Sequence, residues 1–199
     1  MSKVILSKTP LIYYIDNFVK DKEIDFIINS SKDKLKKAHV SYLNKDKHKY
    51  KNYTGRTNRS YWLPKDKDPI VLRLCKRIAK EINCDWKHFE NYQVIHYNPG
   101  EEYQYHYDAY DKNDKAKYNE FCSERGNRLK TVLVYLNDVE EGGGTGFQTI
   151  NKMVDAKKGR MVVFENVNKD NIRYKRSLHA GLPVIKGEKW AFNLWLREK

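Results

Sequence analysis

Long apolar runs, paired cysteines and blocks of like charge are all missing from this 199-residue chain. No stretch approaches the roughly 20 consecutive apolar residues that a bilayer-spanning helix requires. The opening, MSKVILSKTPLIYYID, has no apolar core followed by a small-residue cleavage site, so neither export nor membrane insertion is expected. Cys75, Cys84 and Cys122 make no CxxC pair, and three cysteines cannot close a complete disulfide set. Free thiols point to a reducing compartment, the cytoplasm. Internal repeats and low-complexity tracts are absent as well, and nothing in the sequence speaks to oligomeric state.

Positive charge is plentiful, 39 Lys+Arg against 26 Asp+Glu for a formal net charge of +13, but it is interleaved with acid in stretches such as Lys45-Asp46-Lys47 and Lys65-Asp66-Lys67. That pattern reads as a solvated lysine-rich surface. A nucleic-acid partner stays open on the charge alone, because Lys and Arg contacts to phosphate dominate non-specific affinity. A hydrophobic fraction of 40%, with 15 Tyr, 7 Phe and 4 Trp, supplies a core and excludes a disordered chain. The length fits one domain over residues 1–199.

Two helices are expected in a helical N-terminal part spanning residues 1–90. Residues 21–37 begin with an aspartate, space Ile24, Ile27 and Ile28 for one face and end in lysines. Residues 68–83 place Asp68 before Pro69 and repeat Ile70, Leu74, Ile78 and Ile82 every four positions. Between them, 41–64 is rich in Lys, Tyr, Asn and Thr without helical period and is too long for a plain connector, which marks it as a candidate lid. From about residue 91 the pattern becomes short alternating segments with turns: YQVIHY, EYQYHYD, TVLVYL, RMVVFEN and KWAFNLWL. In the last, Lys189, Ala191, Asn193 and Trp195 share one face and Trp190, Phe192, Leu194 and Leu196 the other. The apolar face calls for helices and the mixed face for a site. The fold class is therefore α+β, a jelly roll over 91–199 with N-terminal helices packed on the outer face of its major sheet. Gly142 to Gly144 read as a turn allowing close approach, because no helix-plus-lysine pattern follows that would cradle a phosphate.

His106-Tyr107-Asp108 is the pattern that carries chemistry. In a strand, positions i and i+2 point the same way, so an imidazole and a carboxylate converge. His179, at the start of a later strand, completes a two-histidine, one-carboxylate set with open coordination positions. Lys189 lies on the mixed face, where its charge suits the distal carboxylate of a dicarboxylic cosubstrate.

Taken with Arg128-Leu-Lys-Thr-Val-Leu-Val-Tyr-Leu136, Val139-Glu-Glu-Gly-Gly-Gly-Thr-Gly-Phe147, Ser177-Leu-His-Ala-Gly-Leu-Pro-Val184 and Gly187-Glu-Lys-Trp190, these residues resemble the prolyl 4-hydroxylase catalytic domain. That family belongs to the iron(II)- and 2-oxoglutarate-dependent dioxygenases, which are double-stranded β-helix enzymes. Gly55-Arg-Thr-Asn-Arg-Ser-Tyr-Trp62 resembles another family segment more loosely. The resemblance implies His106, Asp108 and His179 as iron ligands and Lys189 as the grip on 2-oxoglutarate. It adds Tyr103 and Thr145 as further donors to that carboxylate and Trp195 as an aromatic wall of the cosubstrate pocket. Arg128, Arg56, Trp62, Tyr97 and Arg197 are implied near the substrate, with Arg197 replacing a histidine common in relatives. For Tyr103 to share a face with His106, three positions on, the strand needs a bulge or boundary between them. The implied cofactors are Fe(II), 2-oxoglutarate, dioxygen and ascorbate, and the implied reaction converts peptidyl proline to 4-hydroxyproline as 2-oxoglutarate becomes succinate. The alternatives are an oxygenase acting on nucleic acid or another protein side chain, and a non-catalytic jelly-roll binding module.

Overall fold

The computed structural model describes residues 2–43, 46 and 54–199. In chain order the strands are β1 (Lys3–Lys8), β2 (Leu11–Ile15), β3 (Lys36–Lys37), β4 (Arg59–Leu63), β5 (Tyr92–Tyr97), β6 (Tyr103–His106) and β7 (Arg128–Tyr135). There follow β8 (Glu141–Gly142), β9 (Thr145–Phe147), β10 (Lys152–Val154), β11 (Met161–Glu165), β12 (His179–Gly181), β13 (Val184–Lys186) and β14 (Lys189–Arg197). Among the described residues three α-helices, α1 (Asp21–Ser31), α2 (Pro69–Glu81) and α3 (Lys115–Cys122), interrupt them.

Eight strands form the major sheet in the order β1-β2-β11-β7-β14-β5-β4-β3, and β10-β9-β12-β6 form a minor sheet facing it. The non-sequential order is that of a double-stranded β-helix. Its spine is β14, whose two faces separate as period-two alternation demands. Trp190, Phe192, Leu194 and Leu196 join α1 and α2 in one core through Ile24, Ile27, Leu74 and Ile78. Ala191 faces the interior between the sheets with Ile95, Tyr135, Phe147 and Phe164. Each large side chain so buried contributes about 1.5–3 kcal/mol.

Helix α2 starts where the sequence places it: Asp68 Oδ1 accepts from Ile70 N at 2.7 Å and Pro69 fills the first turn. Its buried stripe is Val71, Leu74, Cys75, Ile78 and Ile82, so Ile70 sits at the margin rather than in the stripe. Helix α1 is shorter than the expected 21–37. It ends at Ser31, followed by a 3-10 turn over Lys32–Lys34 and then by β3. Leu35 is the sole apolar residue from 32 to 37, so no stripe holds another turn against the sheet.

The expected helical character of residues 1–90 is corrected in two places. β1 and β2 form an antiparallel hairpin that extends the major sheet through β11, burying Ile12, Tyr13 and Ile15. Inside the expected loop 41–64, Arg59–Leu63 is strand β4, paired with β5 and β3. Of the loop's tyrosines, Tyr50 and Tyr53 lie outside the described residues. Gly142 and Gly143 adopt positive φ, and a Cβ on Gly142 would stand 2.3 Å from the Pro183 carbonyl oxygen, so the glycine turn is a close-approach turn. All three cysteines are free thiols, and among the described residues no helix is long and apolar enough to cross a membrane.

Candidate active site

β6 and β12 pair so that His106 faces His179 and Tyr103 faces Gly181, with Gln104 and Tyr105 on β6 set against Ala180 alone on β12. This bulge turns Tyr103 and His106 to the same side, and their rings stack with centroids 3.6 Å apart. Arg56 closes the stack from behind, its Cζ 4.5 Å from the Tyr103 ring centre.

The cluster at the strand ends is compact. His106 Nε2 lies 3.6 Å from Asp108 Oδ1, His179 Nε2 lies 3.5 Å from Asp108 Oδ2, and the three ligand atoms all fall within 4.8 Å of one another. The opposite nitrogens fix the chemistry. His106 Nδ1 meets the Gln104 carbonyl at 2.7 Å and His179 Nδ1 the Ser177 carbonyl at 2.9 Å. A carbonyl only accepts, so each Nδ1 carries the proton and each Nε2 turns a lone pair to the cluster. Burial, with the neighbouring His106, lowers the His179 pKa to about 4 against the pull of Asp108, which keeps the ring neutral. Burial alone would raise the Asp108 pKa, but His179, His106 and Arg128 outweigh it and hold the carboxyl well below its usual range. The cluster thus offers two neutral imidazoles and one carboxylate.

Residues that sequence reasoning did not find hold this set. Thr131 Oγ1 donates to Asp108 Oδ2 at 2.6 Å and accepts from Asn166 Nδ2 at 2.9 Å, which orients the carboxylate. The available signal was a threonine at an inward position of β7, beside inward Leu133 and Tyr135.

Lys189 is 1% exposed and, among the described residues, makes no ion pair. Its Nζ rests 4.9 Å from the Tyr97 ring centre and 5.3 Å from that of Tyr135. Desolvation lowers its pKa to about 7. Thr145 Oγ1 and the Tyr135 hydroxyl share a 2.6 Å hydrogen bond beside it. A Cβ on Gly181 would lie 3.2 Å from the Tyr97 hydroxyl and 3.7 Å from Tyr103 Cβ, so the glycine leaves the space these rings border.

The remaining expected residues separate into two groups. Trp195 pairs with Thr131, which places it at the ligand end of β14, about 20 Å along the strand from Lys189 at roughly 3.3 Å per residue. Among the described residues its buried Nε1 has no hydrogen-bond partner. Trp62, 43% exposed, approaches it with ring centroids 5.8 Å apart. Both line a groove of about 950 Å³ that opens over Asp108 and His106 and includes Arg56, Arg128 and Gln93.

Arg128 and Arg197 are less available than expected. Arg128 lies over the Trp195 ring at 3.7 Å and binds Glu90 through Nε at 2.7 Å and Nη2 at 3.0 Å. Arg197 is not among the groove residues; Glu90 Oε1 and the Phe121 carbonyl hold it. Arg56 spends its guanidinium on Asn58, Gln93 and the His39 carbonyl. Tyr97, expected near the substrate, is buried against Lys189 and is not among the groove residues.

A jelly roll presenting two histidines and a carboxylate with open positions defines the class of non-haem iron oxygenase folds. Comparison with known proteins narrows it. The model of the 2OG-Fe(II) oxygenase superfamily matches residues 92–197. The viral collagen prolyl hydroxylase of Paramecium Bursaria Chlorella virus-1, solved as its 2OG complex, superposes with a TM-score of 0.73 at 31% identity, covering 94% of this chain and 95% of that one. Prolyl 4-hydroxylase subunit alpha-2 of Caenorhabditis elegans is 33% identical over 195 residues, 98% of this chain, which spans 35% of that protein's length. A Pseudomonas putida prolyl-4-hydroxylase, at 16% identity and a TM-score of 0.60, shares the fold. The chain belongs to the 2OG-Fe(II) oxygenase superfamily, among its prolyl 4-hydroxylases.

Proposed function

We propose that this protein hydroxylates peptidyl proline to 4-hydroxyproline as an iron(II)- and 2-oxoglutarate-dependent dioxygenase. The observation that carries the reading is the pairing of a convergent Nε2, Nε2 and carboxylate cluster with a buried lysine that has no counter-charge inside the same jelly roll. His106, Asp108 and His179 fit iron(II), because both imidazoles are locked in the ligating tautomer. Lys189 and Thr145 fit the distal carboxylate of 2-oxoglutarate: burying an ammonium without an anion is costly, and a dicarboxylate supplies one. When bound, iron with 2-oxoglutarate and dioxygen supplies the C–H oxidation that side chains cannot perform, releasing succinate and carbon dioxide.

The rest is work for the chain. Tyr103, Tyr97 and Gly181 shape the cosubstrate space, and Trp195 offers its unpartnered indole N–H at the reacting end. Trp62 and Trp195 provide flat apolar surface for proline rings, and the Arg128 guanidinium, flattened on Trp195, faces the same groove as a donor to peptide carbonyls. Ascorbate enters the proposal as the reductant that keeps iron ferrous, and the three free thiols accord with a reducing, cytoplasmic setting. The test is incubation with iron(II), 2-oxoglutarate, ascorbate and proline-rich peptides. Succinate release matched by one added oxygen on proline is expected; a wild-type protein that leaves proline unmodified overturns the reading.

A further inference from the structure

We propose that a lysine bank on the groove, Lys34, Lys36 and Lys37, selects proline substrates bearing an acidic side chain about four residues from the target. The inference rests on the peptidyl-proline reading above. The bank comes from the segment between α1 and β4. Residues 32–37 carry four lysines and one aspartate, +3 of the chain's +13. All three named lysines are exposed and line the groove.

What distinguishes them from an ordinary solvated face is their place and their lack of partners. Among the described residues none of the three makes an ion pair. Lys34 has only the Ser30 carbonyl at 3.0 Å and the Tyr61 ring at 5.3 Å, and Asp33 is the single acid in the bank. The facing bank is different: Asp111 is taken by Arg173 at 2.9 Å, and Asp114 Oδ1 caps α3 by accepting from Lys117 N. Arg128 is neutralised by Glu90. Asp33, Asp114, Lys117 and Arg56 also line the groove, and within that mixed lining the three lysines form the cluster of like charge closest together in sequence.

Register gives the distance. Lys36 pairs with Ser60, so it shares the groove-facing side of β4 with Trp62, whereas Lys37 pairs with Arg59. β3 is the edge strand, and β4, β5 and β14 separate it from β7, whose Thr131 holds Asp108. Four strand spacings of about 4.8 Å put the bank roughly 19 Å from the reacting end. A lysine reaches about 6 Å of that through its four-carbon stem. The remaining distance of about 13 Å is about four residues of polyproline-II chain at 3.1 Å each. Trp62 lies within that span, as a floor on which the intervening residues rest.

The experiment uses the full chain and fluorescent peptides with one proline, carrying Glu, Gln or Lys at the third to fifth position on either side. Binding is read by anisotropy and hydroxylation by mass spectrometry. On one side of proline, Glu is expected to bind about fivefold more tightly than Gln, the size of a favourable exposed ion pair, with kcat unchanged and the advantage fading in salt. The charge reversal Lys34→Glu with Lys36→Glu and Lys37→Glu should invert the ranking toward Lys peptides. Equal affinities for Glu, Gln and Lys peptides with proline still hydroxylated overturn the proposal and leave the function reading intact. Tight Glu-dependent binding without hydroxylation overturns the function reading and leaves an acidic-peptide site. A single-stranded oligonucleotide that displaces the Glu peptide at lower concentration overturns the proposal in favour of nucleic acid.

Discussion

At Lys189 the energetic tension of the site is greatest, because an amine is buried against two tyrosine rings with its pKa lowered to about 7. An anionic cosubstrate binds the ammonium and not the neutral amine. The lysine is protonated below pH 7 and loses its proton above it, so the KM for 2-oxoglutarate should rise about tenfold per pH unit above neutrality. Titrating 2-oxoglutarate at several pH values checks this, and Lys189→Arg, which stays charged, should flatten the profile. Lys189→Ala should raise the requirement by about two to three orders of magnitude with iron affinity nearly unchanged. Thr131→Val tests the other end of the pocket. It keeps shape but removes the donor to Asp108, so iron affinity should fall about 10- to 100-fold, measured by metal titration of the apoprotein.

Elements were legible in proportion to how much of their own pattern they carry. β14 declared both faces because its nine residues alternate without interruption, and α2 declared its start through Asp68 and Pro69. β3 and β4 did not, since two and five residues next to a lysine-rich stretch give no period to count. α3 was silent for the opposite reason: Cys122 is its one buried residue, so it has no apolar stripe to read. The β6 bulge followed from chemistry rather than propensity, from the need to bring Tyr103 and His106 to one side. Between elements, Glu90 ties the start of β7 to the end of β14 through Arg128 and Arg197. Burial works to raise its pKa, but the arginines hold it below the ordinary carboxylate value. That stabilisation is present above the unfolded pKa of about 4.3 and is lost as pH falls through the lower folded value. Glu90→Gln strands two buried guanidinium groups, should cost about 3–5 kcal/mol and should flatten the acid limb of a plot of Tm against pH.

Across the whole molecule, the sequence exposed the ligands and concealed their supports. His106, Asp108, His179 and Lys189 sit in motifs that a strand can be expected to present. Thr131 stands 23 positions from the carboxylate it holds, Asn166 a further 35 from Thr131, and Glu90 is 38 from Arg128, so only the folded chain brings them together. Metal binding should reach the global fold through the same contacts. A divalent metal at a hundred times its Kd adds about 2.7 kcal/mol. That should raise Tm by about 5–10 °C for a chain of this size. Chelation should reverse the shift, and His179→Ala should show little of it.

The two borders of the major sheet are unequal. β3 ends it with two residues, both lysine, too short and too charged for another chain to pair with. β1 ends it with six residues, including Val4 at 41% and Ile5 at 55% exposure, and only its register shift between Ile5 and Ser7 breaks the ladder. Self-association on heating should therefore begin at the amino-terminal border and spare the lysine border. Ile5→Lys should delay the rise in light scattering during a thermal ramp while leaving succinate release unchanged, because β1 lies at the far end of the sheet from the groove's lysine bank and contributes no residue to the groove.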